Sequence, residues 1–587
     1  MEHTRKWNLA EPSEAAQDLG YRLNTSPLIA QLLINRGLTE ADECRSYLSP
    51  SLKCLHDPLL IPNLAQAAQR IAMAIKDQQK IVIYGDYDVD GITATAILWH
   101  AIRNLGGVVD YYIPHRIEEG YGLNADAVTQ ICDAGARLII TVDCGVTAVA
   151  PAVVARKRGV DLIISDHHEW HDDGSGPAWP DCHAVVHPRI PQETAYPNPH
   201  LCGAGVAFKL AWATGLAVSG AVKVSETFRN YLIDATALAA LGTIADVVPL
   251  VGENRILAHF GLGGLKASKL TGIQALIAAA NLSGQTLDSY HVGFLLAPRL
   301  NAAGRMGHAR LAVEMLTTAD QPRAIEIATY LEVQNRDRQA VEKKILAEAL
   351  RQAEQLKCAG DDCRGIVLGG PGWHPGVIGI VASRIVDRFH KPAIVVALGE
   401  DLGQGSGRSI SGFHLAKALD ACTVHLEGHG GHEMAAGLRV RPEKFEAFRQ
   451  NFCDYARQHL TAGMLVRELR LDVAAELRSL NEALVNDLKR LGPFGHGNRR
   501  PLLLLHDVEL AAAPRRVGKT GDHLQMYIKQ GQTRMKCIAF NAGPMCDQLR
   551  AGMSLDLAAE PQLNEFNGRR SVELTVKDLV VPATGLV

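Results

Sequence analysis

The chain has 587 residues, of which 47% are hydrophobic and 21% are charged. A chain of this length has room for about three or four domains, each with a buried core. Its formal net charge of −3 excludes polyanion binding through overall basicity, so any nucleic acid must be held by local patches or by metal ions.

Residues 1–75 predict a polar helical segment, interrupted by Pro50, Pro58 and Pro62, that packs on the domain after it. The charged first residues are not followed by an apolar run, so we expect no signal peptide. The longest apolar stretch, around residues 232–251, contains acidic residues and therefore predicts a buried helix rather than a membrane span. The twelve cysteines include no C-x-x-C pair, which indicates neither a zinc site nor a disulfide framework and fits the cytoplasm.

The stretch Lys80–Gly91 predicts a buried strand that runs into a cluster of carboxylates. The run Ile81–Ile83 is apolar and β-branched, as expected of a strand covered on both faces. Asp86, Asp88 and Asp90 follow at alternate positions, directly before a helical pattern. Because carboxylates this close repel one another, they need a cation between them. An acidic surface loop is the alternative, and the buried strand disfavours it.

Strands and helices alternate from residue 80 onward, which predicts a mostly parallel sheet with helices on both faces. In such sheets, ligands bind at the carboxyl ends of the strands. The strand candidates are Ile81–Tyr84, Val108–Ile113, Leu138–Val142, Leu162–Ser165 and Ala184–His187.

Two further strand candidates also end in polar residues. Asp143 follows one of them, and Asp166-His167-His168 follows the other. Each residue alone fits a helix cap or a turn as well as a ligand. Together they form a mixed set of oxygen and imidazole donors that suits Mn²⁺ or Mg²⁺. Asp246 is a further candidate, because a carboxylate in an apolar run needs a partner.

Two arginine-bearing segments are candidates for phosphate contacts. Arg116 follows the second strand candidate and can form a bidentate contact, with an ion pair to Glu118 or Glu119 as the alternative. Arg305 lies in a glycine-rich turn, residues 301–307, close to two further arginines, which favours a polyanion partner over solvent alone.

Residues 321–356 predict a helix of about 50 Å that links two domains, because charges recur every few residues along it. Two shorter helices within one domain are the alternative. A second α/β domain follows at about 360–460, with strand candidates Ile366–Leu368 and Ala393–Val396. Residues 403–409 and 428–437 predict glycine-rich loops, which bring backbone amides close to phosphate oxygens.

Residues 465–587 predict a small barrel, because short strand candidates recur at regular spacing. These strands are Pro501–Leu505, Leu524–Ile528, Met535–Ala539, Ser554–Ala558 and Val572–Val576. Basic residues near them can hold a nucleic-acid strand by charge, with plain surface charge as the alternative. Aromatic residues are few here, so stacking is a weaker expectation.

These motifs, in this order, resemble the DHH phosphoesterase superfamily and, within it, the RecJ family of bacterial single-stranded-DNA-specific exonucleases. The resemblance covers nearly the whole chain from about residue 50. The motifs are Asp86-Tyr87-Asp88-Val89-Asp90-Gly91, Asp143, Asp166-His167-His168, Gly242-Thr243-Ile244-Ala245-Asp246 and Gly430-Gly431-His432-Glu433-Met434-Ala435-Ala436-Gly437.

The resemblance implies an α/β chain with a mostly parallel-sheet DHH domain, a long linking helix, a second α/β domain of the DHHA1 type and a C-terminal OB-fold β-barrel. The expected boundaries are 1–75 for the N-terminal segment, 76–320 for the DHH domain, 321–358 for the connecting helix, 359–462 for the DHHA1-type domain and 463–587 for the OB-fold.

The resemblance further implies two divalent cations, Mg²⁺ or Mn²⁺, that clamp a phosphodiester. The ligands of one ion would be Asp88 and Asp143, and those of the other would be Asp90, Asp143, His167 and Asp246. His168 would face the scissile phosphate, where it stabilises charge or donates a proton. Asp86 would act as a ligand or through a hydrogen bond to one.

Substrate contacts are implied in the same way, in a cleft between the DHH and DHHA1-type domains. The residues are Arg116, Arg305, Ser406, Arg408, Gly431 and His432. Four of them, Arg116, Arg305, Ser406 and Arg408, match family positions that grip the 5′ end of the substrate.

We therefore expect a two-metal phosphodiesterase that degrades single-stranded DNA from its 5′ end to mononucleotides in recombination and repair. One alternative is an enzyme for small substrates, such as a pyrophosphatase, an oligoribonuclease or a cyclic-dinucleotide phosphodiesterase. Another is a catalytically inactive binding scaffold. The family further implies a monomer with no membrane contact, whose partners are a single-strand binding protein and a RecQ-type helicase.

Overall fold

The computed structural model describes residues 5–115, 118–120, 122–170, 176, 178–191, 195–305, 308–566 and 568–581. The chain forms two compact units. The larger unit comprises Trp7–Asn301, Ala309–Ala328 and Arg470–Val587, and the smaller comprises Met1–Lys6, Ala302–His308 and Thr329–Leu469. Of the helices in these described ranges, none is both long and apolar enough to cross a membrane.

The N-terminal region consists of one strand and four helices. They are β1 (Arg5–Leu9), α1 (Ala15–Leu23), α2 (Pro27–Ile34), α3 (Ala41–Leu48) and α4 (Leu64–Lys76). Helix α2 begins where the Ser26 side chain accepts a hydrogen bond from the Ile29 backbone amide, and Pro27 occupies its first position.

A five-stranded parallel sheet with helices around it follows. Its strands are β2 (Lys80–Gly85), β3 (Val108–Tyr112), β4 (Leu138–Val142), β5 (Asp161–Ser165) and β6 (Ala184–Val186). The helices are α5 (Val89–Asn104), α6 (Ala125–Asp133), α7 (Val149–Lys157), α8 (Gly203–Ser219), α9 (Glu226–Ala245), α10 (Gly252–Ala267), α11 (Thr271–Ala279), α12 (Ala297–Arg305) and α13 (Ala309–Thr317), with a π-helical turn at His291–Leu296 before α12.

The strand order is β3-β2-β4-β5-β6, and every adjacent pair is parallel, which confirms the predicted sheet. Every residue of β4 is buried, as expected of a strand covered on both faces. The chain leaves β2 toward β3 on one side and then returns to β4 on the other. The sheet therefore has its topological switch point between β2 and β4, where open α/β sheets bind ligands.

The predicted linking helix is confirmed as α14 (Gln321–Gln355), and the chain passes within it from the larger to the smaller unit. The smaller unit then contains β7 (Ile366–Pro371), α15 (Pro375–Phe389), β8 (Ala393–Leu398), β9 (Gly403–Arg408), α16 (Leu415–Asp420), β10 (Leu426–Gly431), β11 (Ala435–Val440) and α17 (Phe445–His459). Its sheet has the order β10-β11-β9-β8-β7, with only β7 and β8 parallel.

The prediction of a loop at 403–409 was wrong, because β9 occupies Gly403–Arg408, and the predicted loop at 428–437 is confined to the turn at 432–434 between β10 and β11. Glycine favours turns locally, but in β9 it leaves room for the side chains of neighbouring elements. A Cβ on Gly405 would lie 2.7 Å from the Leu438 side chain, and one on Gly407 would lie 2.8 Å from Leu415. The packing around the strand therefore explains glycines that the local pattern assigned to loops.

The C-terminal part of the chain forms the predicted barrel. Its elements are β12 (Arg467–Leu471), β13 (Val473–Ala474), α18 (Glu482–Arg490), β14 (Leu503–Leu510), β15 (Arg515–Val517), β16 (His523–Gln530), β17 (Thr533–Ala539), β18 (Ser554–Phe566) and β19 (Arg569–Val580). Strands β14, β18, β19, β17 and β16 are neighbours in that order, and β16 pairs again with β14, so five strands close into a ring. This closure is typical of an OB-fold.

The N-terminal helices pack in two places within the larger unit. Buried residues of α1–α3, among them Leu19, Ile29 and Leu33, share one hydrophobic core with barrel residues such as Leu503 and Leu557. Helix α4 instead contacts α8 and β6. The sequence predicted that all of residues 1–75 pack on the DHH domain. Helices α1–α3 instead pack on the barrel, because their apolar side chains are buried in its hydrophobic core.

Candidate metal centre

Acidic and histidine side chains meet at the carboxyl ends of β2, β4 and β5. Asp86 follows β2, Asp143 follows β4, and the run Asp166–His168 follows β5. Because β2 and β4 flank the switch point, their aspartates lie on the two sides of the same crevice. The last turn of α9 adds Asp246 to this group.

The donor atoms form three overlapping groups, each with its ligand atoms within 4.8 Å of one another. The groups are Asp86, Asp88 and Asp143; Asp90, His167 and Asp246; and Asp143, His167 and His168. The geometry therefore brings together all seven residues that the family resemblance implied for catalysis or metal binding. Asp143 and His167 each belong to two groups, and of the two only the Asp143 carboxylate has two oxygens to share between two ions.

His167 lies at the centre of the second group. Its Nε2 atom is 3.1 Å from Asp143 Oδ1 and 3.7 Å from both Asp90 Oδ2 and Asp246 Oδ2. Burial lowers the pKa of His167 to about 4, despite the nearby Asp90. The imidazole is therefore neutral near pH 7 and offers a lone pair to a metal ion.

The carboxylates are crowded enough to require a cation. Burial, followed by repulsion from Asp90 and Asp88, raises the pKa of Asp143 well above its ordinary value. The same two causes raise the pKa of Asp246 to about 8. Divalent cations would relieve this repulsion, and carboxylate oxygens with one imidazole are donors that Mn²⁺ and Mg²⁺ accept. The residues present thus fit two divalent cations.

The backbone aims the Asp143 carboxylate into the site. Asp143 has φ of 62°, the left-handed region that aspartate tolerates better than most residues, and its amide donates to the Ser165 carbonyl at 3.0 Å. Glycines keep the space around the carboxylates open. A Cβ on Gly203 would lie 2.7 Å from Asp143 Oδ1, and one on Gly242 would lie 2.6 Å from Asp90 Oδ1.

Helix termini orient two further carboxylates. Asp88 caps α5, because its Oδ1 accepts hydrogen bonds from the Asp90 and Gly91 amides. The Asp90 carboxylate accepts from the amides of Gly203 and Ala204 at 2.6 and 2.8 Å, at the N-terminus of α8. The positive end of the helix dipole favours the ionised carboxylate there.

Asp166, which the sequence placed among the candidate metal donors, instead has both carboxylate oxygens engaged in hydrogen bonds. Its Oδ1 accepts from the His167 and His168 amides and contacts His168 Nδ1 at 2.8 Å, while Oδ2 accepts from the Val146 amide at 2.9 Å. Although burial opposes ionisation, these hydrogen bonds and the nearby histidines lower its pKa. In the described part of the chain Asp166 belongs to none of the metal-binding groups.

The contact with Asp166 also sets the charge of His168. Burial disfavours the charged imidazole, but the hydrogen bond and negative charge of Asp166 outweigh it and raise the pKa of His168 to about 9. Near pH 7, these pKa values favour a protonated His168 beside a neutral His167. The two rings lie 4.4 Å apart between centroids. This pairing suits one histidine to ligation and the other to a negatively charged substrate.

The residues predicted to grip the substrate are separate from this cluster in the chain. Arg116 lies outside the described residues, and Arg305 is the last residue of α12. The glycine-rich turn predicted at 301–307 is therefore wrong for residues 301–305, which continue the helix, and residues 306–307 lie outside the described part of the chain. On β9, Arg408 Nη1 donates to Ser406 Oγ at 3.2 Å, and burial lowers the pKa of the arginine. Gly431 ends β10 with φ of 146°, and the next residue, His432, is exposed.

Three family models match the chain. They describe a DHH family N-terminal domain at residues 80–242, a DHHA1 domain at 362–458 and a RecJ OB domain at 471–578. The first spans the parallel sheet and the candidate ligands that follow β2, β4 and β5, and it ends four residues before Asp246. The third spans the closed ring of strands.

Known proteins match along almost the whole length. Single-stranded-DNA-specific exonuclease RecJ of Bacillus subtilis is 38% identical over 98% of this chain and 71% of its own length. The Escherichia coli RecJ is 34% identical over 94% of this chain and 96% of its own. The crystal structure of Thermus thermophilus RecJ in complex with Mn²⁺ superposes with a TM-score of 0.83 at 31% identity, over 99% of this chain and 80% of that one. A second crystal structure of the same protein contains Mg²⁺. With its parallel sheet, closed barrel and metal-binding groups, the chain belongs to the RecJ family of single-stranded-DNA-specific exonucleases.

Proposed function

We propose that this protein is a two-metal phosphodiesterase that degrades single-stranded DNA from its 5′ end to mononucleotides. The observation that carries the proposal is the convergence of seven carboxylate and imidazole side chains at the switch point of the sheet, with Asp143 in two metal-binding groups. The relatives are named as single-stranded-DNA-specific exonucleases, and they support this substrate. The 5′-to-3′ direction is supported by the resemblance of the substrate-gripping residues to the family.

In this mechanism, the protein holds the charge that the reaction needs. Two divalent cations bound at the site would supply positive charge to the phosphodiester and acidify the attacking water. Asp88 and Asp143 would hold one ion, while Asp90, Asp143, His167 and Asp246 would hold the other. Asp86 belongs to the same group as Asp88 and Asp143 and is assigned to the first ion. Neutral His167 binds as a ligand, since its pKa is far below 7.

His168 acts on the substrate rather than on the ions. Its Nδ1 is occupied by Asp166, which holds the ring in place and keeps it protonated. The protonated ring stabilises negative charge on the scissile phosphate or donates a proton to the departing oxygen. Asp166 is therefore a positioning residue in this mechanism and stays ionised throughout.

A groove in the larger unit supports an extended, single-stranded substrate. Its volume is about 1310 Å³, and its lining includes the residues on both sides of Asp246 and residues from the segment before β14. Tyr290 and Phe294 line it as a stacked pair with centroids 4.9 Å apart, and their residues are 58% and 66% exposed. Its basic lining residues are Lys266, Lys489, Arg490, Arg499 and Arg500. Exposed aromatics with cations nearby bind unpaired bases and their phosphates.

Replacing Tyr290 and Phe294 together by alanine is expected to weaken binding of a long single strand. Stacking contributes about 1–3 kcal/mol per base, so the KM for an oligonucleotide of about twenty residues should rise at least about tenfold. Hydrolysis of a dinucleotide should be unchanged, because a dinucleotide does not extend along the groove. Tyr21, which is 89% exposed, provides a matched control as Tyr21→Ala. Equal losses on both substrates would contradict the role of the groove.

The 5′ grip is assigned to Arg116, Arg305, Ser406, Arg408, Gly431 and His432. The hydrogen-bonded pair Ser406 and Arg408 supports this assignment, since a hydroxyl beside a guanidinium suits a terminal phosphate.

The domain boundaries at 76–320, 359–462 and 463–587 are proposed from the resemblance to the family. A single-strand binding protein and a RecQ-type helicase are the proposed partners of a monomer. Twelve free cysteines support a cytoplasmic location.

Product analysis on end-labelled oligonucleotides tests the function. The wild-type enzyme is incubated with 5′-labelled single strands, 3′-labelled single strands or blunt duplex, each with Mg²⁺, Mn²⁺ or EDTA. We expect early mononucleotide from the 5′ label, a ladder of shortening products from the 3′ label, and no product from duplex or with EDTA. Early mononucleotide from the 3′ label would reverse the direction. Rapid cleavage of dinucleotides beside slow cleavage of long strands would favour the small-substrate alternative.

A further inference from the structure

The loop after β5 is held by its backbone as well as by Asp166. The carbonyl oxygens of His167 and His168 contact two other side chains. Arg189 Nη2 donates to the His167 oxygen at 2.6 Å, and His187 Nε2 lies 2.9 Å from the His168 oxygen. Both side chains follow β6, the strand next to β5.

The hydrogen bonds of His187 define its tautomer. Its Nδ1 accepts a hydrogen bond from the Arg189 amide at 3.0 Å, so the ring proton is on Nε2. Nε2 is therefore the donor to the His168 carbonyl. The side chain is fully buried, and Trp170 packs edge-on against the ring at 5.3 Å and 78°. The buried Nε2–H group would be left without an acceptor if this contact were broken, so the contact is costly to break.

Arg189 contacts the same loop at the preceding peptide group. Besides the His167 carbonyl, its guanidinium pairs with the Glu169 carboxylate and lies 5.9 Å from the centre of the Trp170 ring. The guanidinium is thus held by the first of the two histidines and by the two residues that follow them. Its planar fork makes these contacts together, which a lysine ammonium cannot do.

We propose that His187 and Arg189 are positioning residues that set the orientation of His167 and His168 by holding their carbonyl oxygens. A rotation of either peptide would move an imidazole relative to Asp143, which His167 Nε2 approaches to 3.1 Å. The assignment rests on the proposed function, because it gives His167 a ligand role and His168 a substrate role. His187 acts through the backbone of the loop, whereas Arg189 acts through the backbone and through the side chains of Glu169 and Trp170.

Leucine and glutamine at position 187 separate positioning from packing. His187→Leu removes the donor, whereas His187→Gln keeps an N–H donor close to the position of Nε2. Partners that orient metal ligands typically account for about 10- to 100-fold in metal affinity or activity. We therefore expect His187→Leu to lower kcat and Mn²⁺ affinity by about that factor, with KM for single strands changed little. His187→Gln should restore both most of the way. Arg189→Met should show the same losses, and Arg189→Lys should recover only part of them.

The matched control is His100→Leu. His100 Nε2 contacts the Leu316 carbonyl at 2.8 Å, in the same larger unit but far along α5 from the site. This variant should lose thermal stability while keeping kcat and Mn²⁺ affinity. If His187→Leu behaves as His100→Leu does, the positioning role is overturned and the contact is structural only.

Mn²⁺ binding, measured by calorimetry on the full-length protein without DNA, separates the inference from the proposed function. If wild-type protein fails to degrade single strands, the proposed function is wrong. The order of Mn²⁺ affinities still tests the positioning role of His187. Wild type and His187→Gln binding more tightly than His187→Leu supports it. Equal Mn²⁺ affinities for wild type, His187→Leu and His187→Gln overturn it.

Discussion

Asp143→Asn is expected to abolish nuclease activity while leaving the fold intact. Asp143 belongs to two of the metal-binding groups, so its loss affects both ions. Such ions stabilise the charge of the transition state by several kcal/mol. Because about 1.4 kcal/mol corresponds to a factor of ten in rate, we expect the rate to fall at least about a thousandfold. Asparagine tolerates the φ of 62° at this position, so the turn after β4 should persist. The rate of mononucleotide release from 5′-labelled single strands measures the effect.

Thermal melting provides the readout that activity cannot. The raised pKa of Asp143 means that its ionised form is held at a cost in the metal-free protein. In EDTA, Asp143→Asn should therefore melt at a temperature no lower than the wild type. Added Mn²⁺ should raise the melting temperature of the wild type and leave that of the variant nearly unchanged, because only the wild type binds it well.

Asp126→Asn is the matched control, since Asp126 is exposed on α6 and far from the donor groups in the chain. It should keep both the activity and the Mn²⁺-induced shift. A catalytically inactive scaffold would keep its biological function after Asp143→Asn, so loss of repair function together with nuclease activity argues against that alternative. An active Asp143→Asn enzyme would refute the assignment of Asp143 as the shared ligand.

Breaking the buried ion pair between Lys209 and Glu253 is expected to destabilise the larger unit strongly. Lys209 on α8 is 0% exposed and Glu253 on α10 is 1% exposed, and their charged atoms are 2.5 Å apart. Lys209 also donates to the His56 carbonyl at 2.6 Å, and Glu253 accepts from the His56 amide at 2.7 Å. Burial lowers the pKa of Lys209 although Glu253 opposes the change.

Removing one member leaves the other charged and buried without its partner. We expect Glu253→Met or Lys209→Met to cost about 3–5 kcal/mol in the free energy of unfolding. The double variant should be less destabilised than either single one, since no charge remains unpaired. It should not recover fully, because the His56 amide and the Tyr196 hydroxyl lose their acceptor.

Urea unfolding followed by tryptophan fluorescence measures this effect, since the Lys209 Nζ lies 5.2 Å from the centre of the Trp212 ring. The control is Asp133→Asn, which breaks a pair with Arg158 whose side chains are 60% and 45% exposed. That change should cost less than about 1 kcal/mol. If Glu253→Met costs no more than Asp133→Asn, the buried pair does not hold α8 and α10 together.

The sequence was sufficient for the parts of the site that depend on local pattern. Apolar β-branched runs predicted β2, β4 and β5 to within a residue or two, because buried parallel strands need continuous hydrophobicity. Polar residues directly after them then had to lie at one edge of one sheet. The family motifs, a set of residues in fixed order, carried the assignment of the nuclease class, and the comparisons support it.

Some features were decided by contacts between residues far apart in the chain, which no local pattern records. Asp166 and Asp143 look alike in sequence, yet amides from the β4 and β5 loops occupy Asp166 while Asp143 remains available to metal ions. His187 and Arg189 carry no motif, and they reach the histidine loop only because β6 lies beside β5.

By itself, the sequence determined the alternation of strands and helices, the linking helix and the barrel strands, because each depends on residue type and spacing along a short stretch. The candidate metal ligands came from the order of motifs that resembles the family. Only the tertiary structure decided that glycine-rich segments form β9 and β10, that α1–α3 pack on the barrel, and that a basic, aromatic groove lies beside Asp246. These features follow from packing between distant elements, whose free energy is set by shape and burial in the folded chain.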